Sequence, residues 1–372
     1  MKVERTSMKT VLRGESIAQI RIENTIVETP TPMITTTDVN YADELTNRYE
    51  VDLRYPHKIH EIREAWSLKR LQGLTKYGKL GEKIEWLIQQ RAKSLAKKFM
   101  YTPIFNDDVI VSKDIVLMML KLQAESGIEL INLSDSPTMP TMDALGLIKD
   151  CAKTVRDMGR EPFLQIRANY SDTMFKNKTE VAKELGLSGI TVMHYDPIKY
   201  LANYKLLAEL REGGLMRHLS NIDRIWRGDS KSAVMPYGML FADTYSTKMG
   251  RGGSKKKTDG QPIKPKPRVN ARRYDWDTSA HLRISEHRQE HGEELNCGCP
   301  ICIGNTMADV VADYSKILYP AFRTHEPYAL HTFADFARAR MRAGTLKEFL
   351  TTKKYAPNAL QNVFGIGQQE IN

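Results

Sequence analysis

The chain has 372 residues, of which 41% are hydrophobic and 27% are charged. These proportions are those of a globular protein and exclude a wholly disordered chain. The longest aliphatic run covers only residues 115–120, whereas a membrane-spanning helix needs roughly 20 apolar residues, so we expect no membrane partner. The charged N-terminus lacks the apolar core of a secretory signal, which favours a cytoplasmic protein. The length suits about two domains, or one α/β barrel that carries insertions.

Two segments of different character precede the middle of the chain. Residues 1–56 include a stretch, 17–38, in which apolar and polar positions alternate. This pattern predicts a β-hairpin followed by a first barrel strand. Residues 57–100 are highly charged with a helical spacing, and we interpret them as a helical insertion that packs on the barrel or contacts the substrate. This insertion carries no recognisable chemical motif.

Residues 101–245 alternate between strand and helix patterns. The apolar runs that predict strands, separated by helical stretches, are 127–135, 162–168, 189–196 and 232–243. Such alternation favours parallel β/α units, so we predict an α/β fold: a (β/α)8 TIM-type barrel with a helical N-terminal insertion and a small C-terminal zinc-binding subdomain. A helix-turn-helix at 178–197 is the competing interpretation. The run ITVMHY, which is β-branched and aromatic, favours a strand there instead.

Three of the predicted strands end in aspartate, at Asp135, Asp196 and Asp243. In a β/α barrel, the carboxyl ends of the strands line the active-site face. Three carboxylates at equivalent positions therefore predict that all three lie together at the active-site face, around the mouth of the barrel. The alternative for each one is a helix N-cap or a turn, which is the commoner role of aspartate at a strand end.

Residues 246–273 form a basic segment. It contains ten Lys or Arg and one acidic residue, and so carries +9 of the formal net charge of +10. A nearly neutral body with one basic strip is typical of a surface that binds a polyanion, and we predict nucleic acid as the partner. The alternative is a solvated loop that is basic only for solubility. The residues that we assign to nucleic-acid binding are Lys248, Arg251, Lys255, Lys256 and Lys257.

Three of the four cysteines lie within six residues, at Cys297, Cys299 and Cys302. In a protein without secretory features, this spacing predicts a metal site rather than disulfide bonds. Zinc in a structural site takes four ligands, so one ligand must come from elsewhere. The downstream candidates are His325 and His331. We prefer His331, because it begins a helical pattern whose first turn can face the cysteines. Four protein ligands leave no open position, so we expect a structural Zn²⁺.

Three segments together resemble the tRNA-guanine transglycosylases and their DNA-acting, phage-type relatives. ENTIVETPTPMIT (23–35) is similar to the opening hairpin of the family, and FADTYSTKMGRGG (241–253) is similar to its nucleophile strand. CGCPIC…LHTF (297–333) is similar to its zinc subdomain. The segments occur in the order of the family, and the resemblance covers residues 17 to about 352.

This resemblance implies an enzyme on a β/α barrel that exchanges guanine in a nucleic acid for a free 7-deazaguanine base. In the family, an aspartate at the position of Asp243 attacks the ribose C1′ and forms a covalent intermediate. By the same matching, Asp135 stands where the family has the aspartate that recognises the base. DNA is the favoured polynucleotide, and tRNA is the alternative.

The chain departs from the family at three motifs. LQIRANY and TVMHYD stand where the family has Gln-Gly-Gly and Gly-Gly-Leu, and the candidate base contacts in them are Asn169, His194 and Asp196. PIFNDDV stands nearest to the Asp-Ser-Gly-Gly segment, so the candidate general acid/base is Asp107 or Asp108. These departures favour a divergent, DNA-acting enzyme over an ordinary tRNA enzyme.

The C-terminal part completes this organisation. Residues 274–352 are expected to form the zinc-binding subdomain and a closing helix, and 353–372 a tail. Two other functions stay open. One is a zinc-containing nucleic-acid-binding protein without catalysis, and the other is a barrel hydrolase that uses the basic segment to hold a phosphorylated small molecule. A homodimer also stays open as an assembly.

Overall fold

The structure is a computed structural model. It describes residues 2–10, 16–49, 55–76, 78–106, 109–135, 141–195, 199–210, 214–222, 238, 241–247, 271–278 and 280–345. Eight predicted site residues lie outside these ranges: Asp107, Asp108, Asp196, Lys248, Arg251, Lys255, Lys256 and Lys257. The predicted tail also lies outside them. No helix within the described ranges is long and apolar enough to cross a membrane.

A small antiparallel sheet precedes the barrel. Its strands pair in the order β1–β2–β3, and their bounds are Val3–Thr10, Ser16–Ile22 and Thr25–Thr29. β2 and β3 form a hairpin in which Ala18 lies opposite Thr29. The Thr29 hydroxyl also donates to the Ala18 carbonyl. The chain then passes directly into the barrel.

Parallel strands form the barrel at the centre of the fold. In chain order they are β4 Thr31–Pro32, β5 Ile34–Thr35, β6 Ile59–Trp66, β7 Lys98–Phe105, β8 Leu130–Ser134, β9 Glu161–Arg167, β10 Gly189–Met193, β11 Met216–Ile222 and β12 Thr244–Thr247. β4 and β5 lie on either side of Met33 and together act as the first of eight barrel strands. β12 pairs with β4, and β5 pairs with β6, so the ring closes. The predicted (β/α)8 TIM-type barrel is confirmed.

Helices connect the barrel strands on the outside. They are α1 Thr36–Tyr49, α2 Leu68–Lys76, α3 Leu80–Ala92, α4 Lys113–Glu125, α5 Thr141–Asp157, α6 Asp172–Glu184 and α7 Leu201–Glu209. Local sequence sets where several of them begin. Ser112 caps α4 by accepting a hydrogen bond from the Ile115 amide, and Ser171 caps α6 in the same way from the Met174 amide. These caps satisfy amides that have no partner inside the helix.

The prediction of a helical insertion at 57–100 is wrong at its start. Residues 59–66 form β6, which pairs with β7 at eight positions. The charged residues Glu61 and Arg63 gave this run a helix-like pattern, but both are buried inside the barrel. Helices α2 and α3 then make the ordinary connection to the next strand. The helix-turn-helix at 178–197 is also excluded, because β10 occupies its second half.

The interior of the barrel is apolar at the amino ends of the strands. Because side chains alternate along a strand, every second residue points inward. The inward residues at this end form one cluster: Met33, Ile59, Met100, Leu130, Phe163 and Met216. The same cluster contains three residues of the N-terminal sheet, Ile20, Ile22 and Val27. This sheet therefore plugs the barrel. Only glycine fits at position 189, because a Cβ there would lie 2.4 Å from both Phe163 Cε1 and the Met216 carbonyl oxygen.

A C-terminal subdomain packs beside the barrel. It contains the hairpin β13 Arg272–Asp275 and β14 Ala280–Arg283, then α8 Ile284–His291, α9 Met307–Asp313 and the long α10 Leu318–Ala343. The cysteine loop lies between α8 and α9. Helix α10 contacts α1, β4 and β13, and so links the subdomain to the barrel. It ends at Gly344, whose φ of 73° suits a left-handed C-terminal residue.

Candidate functional site

A pocket opens at the carboxyl ends of four neighbouring strands, β7 to β10. We call it the mouth pocket, and its lining residues are Ile104, Phe105, Ser134, Asp135, Gln165, Arg167, Tyr170, Met193 and Tyr195. This is the end at which TIM barrels carry their active sites. The strand order brings these residues together, although they come from four separate parts of the chain.

Asp135 is the buried carboxylate of the mouth pocket. It directly follows β8 and is 7% exposed. The ammonium of Lys178 on α6 lies 2.5 Å from Asp135 Oδ1. Oδ2 has no hydrogen-bond partner among the residues that the structure describes. Burial raises the pKa of Tyr170, and the neighbouring Asp135 carboxylate raises it further, so the phenol stays protonated beside this carboxylate. One carboxylate oxygen is therefore available to a ligand.

Three further oxygen atoms without partners lie on or just after β8 and β9. Within the described residues, Ser134 Oγ, Gln165 Oε1 and Asn169 Oδ1 make no hydrogen bond. The amide nitrogen of Gln165 donates to the Pro103 carbonyl over 2.6 Å, which fixes its oxygen as the free end. Buried polar atoms nearly always have partners in folded proteins. Several unpartnered acceptors at one mouth therefore indicate a site for a ligand that donates hydrogen bonds.

A second polar group fills the barrel between β6 and β11. Ser220 Oγ donates to Glu61 Oε1 over 2.6 Å, and His218 Nε2 lies 3.2 Å from the same oxygen. Arg63 Nε lies 3.5 Å from Glu61 Oε2. Burial raises the pKa of Glu61, but the nearby His218 and Arg63 outweigh it and hold the pKa below its usual value. Sequence patterns missed these residues, because charged positions inside a barrel resemble the exposed face of a helix.

The predicted base contacts separate into different environments. Asn169 lies just after β9, beside the mouth pocket. His194 is not among the residues that line the mouth pocket. Alternation along β10 directs it away from the barrel interior, and its Nδ1 lies 2.6 Å from the hydroxyl of Tyr204 on α7. Asp196 is outside the described residues, but it directly follows Tyr195 of the pocket lining.

Asp243 lies at the opposite end of the barrel from the mouth pocket. Strand β12 begins at Thr244, so Asp243 precedes the strand instead of ending it. Its carboxylate is buried and pairs with Arg217 and with Arg5 of the N-terminal sheet, each at 3.0 Å. Neither its position nor its contacts suit a nucleophile at the mouth. The predicted position of Asp243 at the end of a strand is wrong, because the segment before Asp243 was interpreted as the strand.

Four buried side chains of the C-terminal subdomain form a cluster that could hold a metal ion. They are Cys297, Cys299, Cys302 and His325, and we call them the Cys3His cluster. Their ligand atoms all lie within 4.8 Å of one another. His325 Nδ1 lies 3.3 Å from Cys299 Sγ and 3.4 Å from Cys302 Sγ. The fourth member of the cluster is thus His325 and not the predicted His331.

The geometry of α10 explains why His331 does not belong to the Cys3His cluster. The helix begins at Leu318, well before the start that the sequence suggested, so His325 is inside it. A separation of six residues turns the helix by about 600°, which leaves His331 roughly 120° away from His325 around the axis. His331 Nδ1 lies 3.3 Å from Asp335, and its ring packs against His57.

Neighbouring groups orient the Cys3His cluster. His325 Nε2 lies 2.7 Å from the Tyr274 carbonyl oxygen, to which it can donate a hydrogen bond while Nδ1 keeps its lone pair. Such an outer hydrogen bond is usual for a histidine that ligates a metal. Arg273 Nη2 contacts Cys302 Sγ at 3.6 Å. Arg273 is buried here, and so it does not contribute to an exposed basic strip.

Comparisons with known proteins give only distant structural likenesses. No family model and no curated protein matches the sequence. A chain of the tryptophan synthase a2b2 complex from Pyrococcus furiosus is 16% identical, with a TM-score of 0.35, over 59% of this chain and 86% of that chain. The YdjI aldolase from Escherichia coli K12 is 9% identical, with a TM-score of 0.36, over 59% of this chain and 74% of that chain.

Proposed function

We propose that this protein is a base-exchange transglycosylase that replaces guanine in a nucleic acid with a 7-deazaguanine base. The observation that carries the proposal is the set of unpartnered acceptors in the mouth pocket, centred on Asp135 Oδ2. The Watson–Crick edge of guanine offers N1–H and an exocyclic amine as adjacent donors. A carboxylate accepts such a pair well, because an ionised aspartate has only acceptor sites.

The pocket also fits the polarity of this ligand. Ser134 and Gln165 line the pocket with Asp135 and add acceptors to it. Asn169 adds another acceptor just after β9, and the pocket lining also includes Phe105, Tyr170 and Tyr195. A base in a polynucleotide must leave its stack to reach such a pocket, and enzymes that do so commonly hold the base by its Watson–Crick edge and between apolar or aromatic side chains.

The proposed nucleophile is reassigned from Asp243 to Asp196. In the sequence, Asp196 directly follows Tyr195, which lines the mouth pocket. Its carboxylate oxygen would bond to C1′ while the C1′–N9 bond breaks, and the departing guanine would take a proton from Asp107 or Asp108, which follow the pocket residue Phe105. The incoming base would then attack C1′ through N9 and release the carboxylate of Asp196, while its N9 proton passes to the Asp107 or Asp108 carboxylate that had protonated the departing guanine. A retaining glycosidase uses a covalent carboxylate intermediate in the same manner.

The basic segment supports a nucleic-acid substrate. Its first basic residue, Lys248, directly follows Thr247, which ends β12 and so lies at the mouth end of the barrel. Lys248, Arg251, Lys255, Lys256 and Lys257 would bind phosphates around the target nucleotide. DNA is proposed over tRNA because the motifs near Asn169 and Asp107 depart from those of the tRNA enzymes that the chain resembles.

The proposed metal is a structural Zn²⁺ in the Cys3His cluster. For tetrahedral zinc with typical bond lengths, a sulfur and a nitrogen ligand lie roughly 3.6 Å apart, close to the 3.3 and 3.4 Å found for His325. Zinc would hold the cysteine loop against α10. With four protein ligands it would have no open position for chemistry.

The test is incorporation of radiolabelled guanine into DNA and into tRNA side by side. The wild type should incorporate label into DNA, and Asp196→Asn should lose incorporation while still binding DNA. Denaturing electrophoresis without a second base should trap a protein–DNA adduct with the wild type only. Binding without any exchange in either polynucleotide would replace the enzyme with a zinc-containing binding protein. Exchange into tRNA alone would reverse the assignment of DNA.

A further inference from the structure

A second group of metal-ligating side chains lies in the C-terminal subdomain, apart from the Cys3His cluster. Asp275 ends β13, and His287 and His291 lie on α8. One ligand atom from each lies within 4.8 Å of the other two. The two histidines are four residues apart on a helix, a spacing that puts both on one face. We call these residues the AspHis2 cluster.

His287 has the hydrogen-bond arrangement of a metal-ligating histidine, in which one ring nitrogen can donate to a carbonyl oxygen and the other is unpartnered. It is 1% exposed, and its Nε2 lies 2.8 Å from the Glu294 carbonyl oxygen, to which it can donate. This bond assigns the ring proton to Nε2 and leaves a lone pair on Nδ1. Nδ1 is buried and has no hydrogen-bond partner among the described residues. A buried acceptor without a partner is rare, and it points to a ligand.

The other two members complete the donor set. His291 Nε2 lies 3.1 Å from Asp275 Oδ2, and two ligands of one tetrahedral ion would lie roughly 3.4 Å apart. Asp275 Oδ2 also accepts from the amide and the hydroxyl of Thr278, which fixes the carboxylate in place. Arg273 Nη1 lies 3.9 Å from Oδ1. The His291 side chain is 11% exposed and the Asp275 side chain is 2% exposed, so His291 lies at the solvent edge of the cluster.

We propose that the AspHis2 cluster binds a divalent transition-metal ion. Two imidazoles and one carboxylate are borderline donors that suit Zn²⁺ and Co²⁺ and disfavour Ca²⁺ and Mg²⁺. With three protein ligands, the ion keeps at least one position for water. The bound ion ties β13 to α8, the two elements that lead into the cysteine loop.

The test uses full-length protein with the Cys3His cluster loaded, dialysed against micromolar Zn²⁺. Elemental analysis should give one more equivalent of zinc for the wild type than for His287→Gln. His291→Gln is the second variant, because its side chain lies at the solvent edge and its loss should not unfold the subdomain. Both should weaken the second equivalent by more than about 10-fold, since even changes to outer partners of a ligand cost about 10–100-fold.

His331→Gln is the matched control, because it removes a histidine that belongs to neither cluster, and it should bind as much zinc as the wild type. Substitution with Co²⁺ gives an independent readout. The extra equivalent should add cobalt d–d absorption without a thiolate charge-transfer band, since its ligands contain no sulfur. The proposal is overturned if the wild type binds a single equivalent, or if His291→Gln keeps the second one.

Discussion

The guanidinium of Arg217 donates two hydrogen bonds to the Asp243 carboxylate. Nη2 lies 3.0 Å from Oδ1, and Nε lies 3.1 Å from Oδ2. The backbone amide of Arg217 donates to Oδ2 as well, and Nε of Arg5 donates to Oδ1. Asp243 therefore joins the amino ends of β11 and β12 to the N-terminal sheet. Its role in the structure is to hold the plugged end of the barrel together.

Asp243→Asn should destabilise the protein by about 3–5 kcal/mol, because it leaves two buried guanidinium groups without a counter-charge. Chemical denaturation measures this loss. Glu180→Gln is the control, since Glu180 pairs with Lys183 at the surface and should change stability by less than about 1 kcal/mol. Full stability of Asp243→Asn would contradict the structural role.

The contribution of Asp243 should also depend on pH. Burial raises the pKa of Asp243, but Arg217 and Arg5 outweigh it and hold the pKa below its usual value. A carboxylate with a lowered pKa in the folded state stabilises the fold above the unfolded pKa of about 3.9. That stability is lost as the pH falls below this value. The stability difference between wild type and Asp243→Asn should thus shrink below about pH 4, as measured by denaturation at several pH values.

Metal binding by the Cys3His cluster should depend on His325. Cys302→Ser and His325→Gln should lose zinc and lower the melting temperature, because a structural zinc site contributes folding free energy directly. His331→Gln should keep both. Zinc analysis and thermal unfolding check the three variants together. Loss of zinc in His331→Gln with retention in His325→Gln would restore the ligand set that the sequence suggested.

Asp135→Asn should lower the catalytic efficiency of the enzyme with guanine. The amide places a donor against the donors of the base, and an unsatisfied buried group costs about 1–3 kcal/mol. Steady-state kinetics with guanine should show the loss in kcat/KM. Asp150→Asn, at an exposed position on α5, is the control and should behave as the wild type. If Asp135→Asn has the same kinetics as the wild type, Asp135 does not bind the base.

The basic segment should govern the salt dependence of DNA binding. Replacing Lys255, Lys256 and Lys257 with glutamine should weaken binding at every sequence. The slope of log K against log salt should fall by about 0.9 for each lost phosphate contact. The control replaces three exposed lysines of α4 and α5, namely Lys121, Lys149 and Lys153. An unchanged slope in the first variant would mean that the segment is a solvated loop.

Local patterns alone were enough to predict the barrel and part of the metal site. Apolar runs at 127–135, 162–168 and 189–196 coincide with β8, β9 and β10, because a strand buried on both faces needs a continuous apolar run. The spacing of Cys297, Cys299 and Cys302 brings three sulfurs together within one loop. Asp135 was found by its position after a strand, which is also a local property.

Tertiary structure decided what depends on contacts between distant segments. The sequence offered both His325 and His331 and favoured His331, and only the rotation of α10 against the cysteine loop selects His325. Glu61 and Arg63 look like an exposed helical face, yet barrel closure buries them opposite His218. The end of the barrel at which Asp243 lies follows from where β12 begins. The start of β12 is set by its pairing with β4 and β11. This pairing cannot be predicted from the residues next to Asp243 in the sequence.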